Sequence, residues 1–99
     1  MIARIWHGVT PAKKADDYLK YINETGIPDY RRTEGNLAAY VLLRIENDEA
    51  HFLTLSFWSS IESVKKFAGE DYEKAQYYPR DKDFLHEFEP TVLHYEVNG

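Results

Sequence analysis

Cysteine is missing altogether from these 99 residues, methionine occurs once, and glycine and proline only five and four times. The first absence excludes disulfide scaffolds, cysteine-ligated zinc and thiol nucleophiles in one step. Basic charge is also short. Twelve Lys and Arg against 17 Asp and Glu leave a formal net charge of -5, the wrong sign for a general nucleic-acid binder. No apolar run approaches the ~18 residues that cross a membrane, and the start, Met-Ile-Ala-Arg-Ile-Trp, lacks the basic-then-apolar pattern of an export signal. The expectation is a cytoplasmic chain with neither nucleic acid nor membrane as partner. What is present is 43% hydrophobic and 15% aromatic residues, too many for a disordered chain and enough for one core at this length.

Ile2 to Val9 reads as a strand that stops at Gly8 and Thr10-Pro11. Thr10 as N-cap and Pro11 at the first helical position open a helix, with Ala12, Ala15, Leu19 and Ile22 on one face and Gly26 and Pro28 as its stop. Leu37 to Ile45 and His51 to Trp58 flank the polar Asn47-Asp48-Glu49 and make a hairpin. Ser59 and Glu62 have capping-box spacing ahead of Ile61, Val64, Phe67 and Ala68, a second helix that Gly69 ends. Further helical turns are expected over Glu70 to Tyr78 and Asp81 to Phe88, then a last strand from Thr91 to Val97. Strand, helix, strand, strand, helix, strand is the α+β, ferredoxin-like split βαβ order, which gives a single domain over 1–99 with a four-stranded antiparallel sheet.

Period-two reading of the hairpin puts Val41, Leu43 and Ile45 with Leu53, Leu55 and Phe57 on one face. The other face carries Tyr40, Leu42 and Arg44 with Phe52, Thr54, Ser56 and Trp58. Both are too apolar for water, and two helices cover only one. A second copy is the expected cover, so the sequence predicts a sheet-to-sheet homodimer through Tyr40, Leu42, Phe52 and Trp58, with His94 looking the same way. His7 shares its strand face with Ala3 and Ile5, which places it between sheet and helices. With the first and third strands expected to run parallel, His7 and Trp58 would approach one end of the sheet. His7, Phe57, Phe67 and Tyr77 are then the candidate lining of a pocket for a flat organic ligand.

The fold order, the Trp58-Ser59-Ser60 strand exit and the Val64 to Gly69 helix resemble the antibiotic-biosynthesis-monooxygenase family of dimeric α/β barrels. The resemblance extends to the tail, Phe67-Ala68-Gly69-Glu70-Asp71 through Ala75, Tyr77-Tyr78-Pro79, Phe88-Glu89-Pro90 and His94-Tyr95-Glu96, which looks like a small subgroup of that family. It implies a homodimer acting without a cofactor on a small aromatic or polyketide-like molecule. In the haem-degrading branch an Asn on the first strand, a Trp on the second main helix and a His one segment on carry the chemistry. Those positions fall here on His7, Phe67 and Tyr77, so none of the three is kept. By the same resemblance His7 is the candidate base and Tyr77 the phenol that holds a substrate whose carbanion reacts with oxygen. A non-catalytic ligand-binding or interaction module on the same scaffold is the alternative.

The residues themselves leave both roles open, since His7 can equally be a packed histidine and Tyr77 a packed ring with a bonded hydroxyl. His51 and His86 read as solvated, and Arg31 and Arg32, between Asp29 and Glu34, as a polar loop. The four histidines show no metal-ligand spacing, so no metal is expected. No glycine-rich phosphate loop, nucleophile elbow or Ser-His-Asp order is present.

Overall fold

Residues 1–99 are described by a computed structural model. Strand β1 (Ile2–Pro11) leads through a single 3₁₀ turn, Ala12–Lys14, to helices α1 (Ala15–Glu24) and α2 (Gly26–Arg32). The hairpin β2 (Asn36–Glu46) and β3 (Glu49–Trp58) follows, then α3 (Ile61–Ala68), a long irregular segment holding the 3₁₀ turn Asp81–Asp83, and β4 (Leu93–Glu96). The sheet order is β2-β3-β1-β4 with every pair antiparallel, the α+β ferredoxin-like arrangement expected from the element order.

Several local expectations are corrected. Thr10 and Pro11 do not open a helix. They end β1 opposite Ala50 and Glu49, because the long hairpin supplies partners that far along. The first helix ends at Glu24, just ahead of the expected stop at Gly26, but a second helix follows at once and Pro28 lies inside it. The chain bends at Thr25 and continues, with Pro28 third in α2, where a backbone N–H would have no partner inside the helix. Ser60, not Ser59, caps α3, its hydroxyl accepting the Ser63 N–H at 3.3 Å. Residues 70–78 are not helical. They are tied to the segment before β4 by Ala75 N–H to Pro90 carbonyl (2.9 Å) and Val92 N–H to Glu73 carbonyl (2.8 Å).

The largest correction concerns the faces. A two-residue turn at Asn47-Asp48, with Asn47 in the left-handed region (φ 56°), pairs Glu46 with Glu49. Odd positions of β2 therefore oppose even positions of β3, and Val41 meets Thr54 while Leu42 meets Leu53. Period two within each strand, with no account of the turn, instead groups odd with odd. The helix-covered face consequently holds Ala50, Phe52, Thr54, Ser56 and Trp58, all buried, beside Arg4, Trp6, Gly8 and Thr10 of β1. Tyr40 and Leu42 sit on the open face with Leu53, Leu55 and Phe57. Trp6 lies across Gly8, where an added Cβ would collide with its indole. The core beyond it is aromatic: Tyr18 meets Phe52 edge-on at 5.0 Å and Phe84 at 5.1 Å, and Tyr30 lies 4.5 Å from Phe67.

Candidate functional site

Antiparallel pairing places His7 opposite Leu53 on the open face of the sheet, five residues along β1 from Ile2, the partner of Trp58. It therefore lies neither under the helices nor at the Trp58 end. Its Nδ1 is 2.8 Å from the Glu89 carboxylate and its Nε2 3.3 Å from Nδ1 of His51. His51 and His86 each approach Glu49, at 3.7 and 3.6 Å, so the two are neighbours in a row of rings and carboxylates rather than separate solvated groups. No three His, Asp or Glu side chains converge as metal ligands. Tyr77 stands on the other side of β1, where its hydroxyl accepts from the Trp6 indole N–H (3.3 Å) and donates to the Glu89 carbonyl (2.6 Å). His7 and Tyr77 thus share no cavity, although Glu89 touches both.

The other anticipated residues also separate. Phe57 is on the open face, opposite Ala3 and Ala38. Phe67 packs between Tyr30 and Trp58. Phe52 and Trp58, expected at a dimer surface, are fully buried under the helices. His94 faces the helix side because it pairs with Arg4, and its Nε2 is 3.1 Å from Arg4 Nη1.

What the fold builds between sheet and helices is a different cleft. It is lined by Arg4 and Trp6 of β1, Tyr18 of α1, Tyr30 of α2, and Tyr78 and Asp81 of the irregular segment. It encloses about 390 Å³ including its open mouth, of which about 30 Å³ admits the centre of a water molecule. An inner space of that size excludes a body as large as a porphyrin.

Two charges are buried at this cleft. Arg4 is 1% exposed. Its Nη1 donates to the Tyr72 carbonyl at 2.6 Å, its guanidinium lies 5.5 Å above the Phe67 ring, and its Nε has no partner. No carboxylate pairs with it. Burial lowers its pKa, a change the Tyr30 hydroxyl opposes. Asp81 is 4% exposed and accepts from the Tyr18 hydroxyl (2.9 Å) and the Tyr78 N–H (2.6 Å). Burial holds its carboxyl above the usual range against those two donors, and it pushes Tyr18 up as well, helped by the Asp81 charge. Burial likewise raises Tyr78, to about 12, and its hydroxyl donates to Asp29 at 2.6 Å. His94 is pushed down to about 4, by burial first and the Arg4 charge second, so it is a neutral acceptor for Arg4 at ordinary pH.

Sequence reasoning missed Arg4, Asp81, Tyr18 and Tyr78. One signal was available: Arg4 interrupts an apolar strand at the same parity as Trp6. Asp81 carried none, because only the path of the irregular segment brings it to α1.

No family model matches the sequence, nor does any curated protein. Solved structures do. A Bacillus cereus protein provisionally assigned as an antibiotic biosynthesis monooxygenase is 13% identical, with a TM-score of 0.66 over 99% of this chain and 95% of that one. The haem degrader MhuD of Mycobacterium tuberculosis, solved with two haems in its active site, is 17% identical, with a TM-score of 0.64 over 98% and 95%. Likeness at this identity speaks for architecture, and the chain has the ferredoxin-like α+β fold of these structures.

Proposed function

We propose that this chain is a monooxygenase-like protein that binds a small aromatic or polyketide-like molecule in the cleft between sheet and helices, and that it works as a homodimer. The observation that carries the binding role is the cleft itself: Trp6, Tyr18, Tyr30 and Tyr78 form aromatic walls around a buried cation that no carboxylate contacts directly and whose Nε has no partner. Aromatic walls favour a flat apolar body, and few polar groups fix its orientation. The homodimer rests on the open face. Tyr40, Leu42, Leu93 and Tyr95 are each about half exposed there, beside Leu53, Leu55 and Phe57, more apolar surface than a lone domain usually leaves to water.

In the oxygenase reading a bound phenol or enol loses a proton, its carbanion reduces oxygen, and the resulting peroxide loses water to leave a carbonyl. His7 is the wrong base for a ligand in this cleft, since it stands on the other sheet face. Asp81 is better placed, because burial makes its carboxylate more basic. The non-catalytic reading is favoured by one specific observation: both Asp81 oxygens already accept hydrogen bonds from Tyr18 and Tyr78.

Oxygen uptake separates the two. Wild type incubated with one-ring phenols and anthrone-like compounds is expected to consume oxygen with at least one of them, and Asp81→Asn to consume at least tenfold less. Ligand-induced stabilisation without uptake would leave only the binding role, and neither signal across the panel would sink the reading.

A further inference from the structure

The cleft buries a guanidinium whose hydrogen bonding is incomplete. Arg4 is 1% exposed, its Nη1 contacts the Tyr72 carbonyl and the neutral His94 ring, and the Tyr30 hydroxyl lies close to the guanidinium. Nε is buried without a partner, and no acidic side chain pairs with the charge. A buried cation in that state is costly, and an anion that reaches it relieves the cost. Nε–H and one N–H of the adjacent terminal nitrogen point the same way on a guanidinium, so a planar two-oxygen anion gains two parallel hydrogen bonds there.

The same cleft carries Asp81, 4% exposed, with one donor on each oxygen. A carboxylate oxygen has room for a second donor, so Asp81 still takes a hydroxyl. It also repels a second negative charge on a ligand. Arg4 and Asp81 together select one anionic group and one hydroxyl, and the aromatic side chains that line the cleft with them, Trp6, Tyr18, Tyr30 and Tyr78, suit a flat ring as the body between the two.

We infer that the Arg4 cleft recognises a monoanionic, hydroxylated one-ring molecule, its carboxylate or ionised enol on the Nε side of Arg4 and its hydroxyl on Asp81. This rests on the binding role proposed above and names the ligand class for it. Arg4 sets the charge preference and Asp81 the hydroxyl preference. His94 is a positioning residue, since it acts through Arg4 Nη1.

The test is a titration of the intact wild-type chain at neutral pH and low salt with 3-hydroxybenzoate, benzoate and the neutral 3-hydroxybenzyl alcohol. Binding is followed by tryptophan fluorescence and calorimetry. The hydroxybenzoate is expected to bind at least tenfold more tightly than the alcohol and about threefold more tightly than benzoate. A parallel arm with 1,3-cyclohexanedione, ionised as its enolate, against cyclohexanone separates enolate from carboxylate as the anion source. Arg4→Met should bind acid and alcohol alike, with Arg4→Lys in between, and Asp81→Asn, whose uncharged amide oxygen is a weaker acceptor, should narrow the preference for hydroxybenzoate over benzoate. If Arg4 variants do not fold, the wild-type ranking decides alone. The alcohol binding as tightly as the acid, or Arg4→Met keeping the acid preference, overturns the ligand class and leaves aromatic binding standing. An unchanged hydroxybenzoate-to-benzoate ratio in Asp81→Asn overturns the hydroxyl assignment. No binding by any of these compounds overturns both.

Discussion

His94 shows how much one contact decides. Its ring accepts from Arg4, and partial burial beside that cation holds its pKa near 4 against the usual 6.5. Above about pH 6.5 it is neutral in both folded and unfolded chains, and its contribution to stability is whole. Between about 6.5 and about 4 only the unfolded chain takes up the proton, so stability is lost as pH falls through that window. Discounted for the ring's remaining exposure, the loss is on the order of 1–2 kcal/mol. Denaturant unfolding at pH 7 and 4.5 should show wild type losing that much more than His94→Gln. Equal losses would mean the ring protonates in the fold. Gly35 is the second such position. Its φ of 92° suits glycine, and a Cβ there would collide with the Ser63 side chain. Gly35→Ala is expected to lower stability by about 2 kcal/mol, read as a drop in melting temperature.

At the scale of elements, α3 depends on its cap and the irregular segment on its ties. Ser60→Ala removes the acceptor for the Ser63 N–H and should cost about 1 kcal/mol in thermal unfolding. A cost near zero would show that Ser59, whose hydroxyl is 2.8 Å from that of Ser63, substitutes for it. The segment from Gly69 to Val92 has little regular structure, yet it supplies Tyr78 and Asp81 to the cleft and the Tyr72 carbonyl to Arg4. Backbone bonds to itself, the Tyr18–Asp81 and Tyr78–Asp29 hydrogen bonds, and the His86 N–H to the Val9 carbonyl (2.9 Å) hold it. Apart from short turns within the segment, those partners lie far apart in the sequence. That is why the expected helical turns at Glu70 to Tyr78 do not form: local spacing carries the aromatics, and distant hydrogen bonds set the path.

For the whole molecule the open sheet face is the main consequence. Under the homodimer proposal Leu55→Glu, placed at the middle of that face between Ile5 and Tyr40, should yield a folded monomer by light scattering with unchanged far-ultraviolet dichroism. A monomeric wild type at micromolar concentration would end the proposal.

Element types and order were legible because hydrophobic period and turn residues are local properties. The strand beginning at Ile2, the hairpin about Asn47-Asp48 and the helix before Gly69 all stand where their own residues predict. Sequence also determined that the sheet is apolar on both faces. Which residues share a face was decided by a turn that offsets the hairpin by one residue, and a one-residue offset exchanges every side chain between core and surface. That offset moved Phe52 and Trp58 inward and Leu53, Leu55 and Phe57 outward, and antiparallel pairing of β1 with β3 sent His7 away with them. The cleft was beyond reach of the sequence for a related reason. Arg4 and Asp81 stand 77 positions apart in the chain, and only the packing of an irregular segment against the sheet turns two scattered charges into one site.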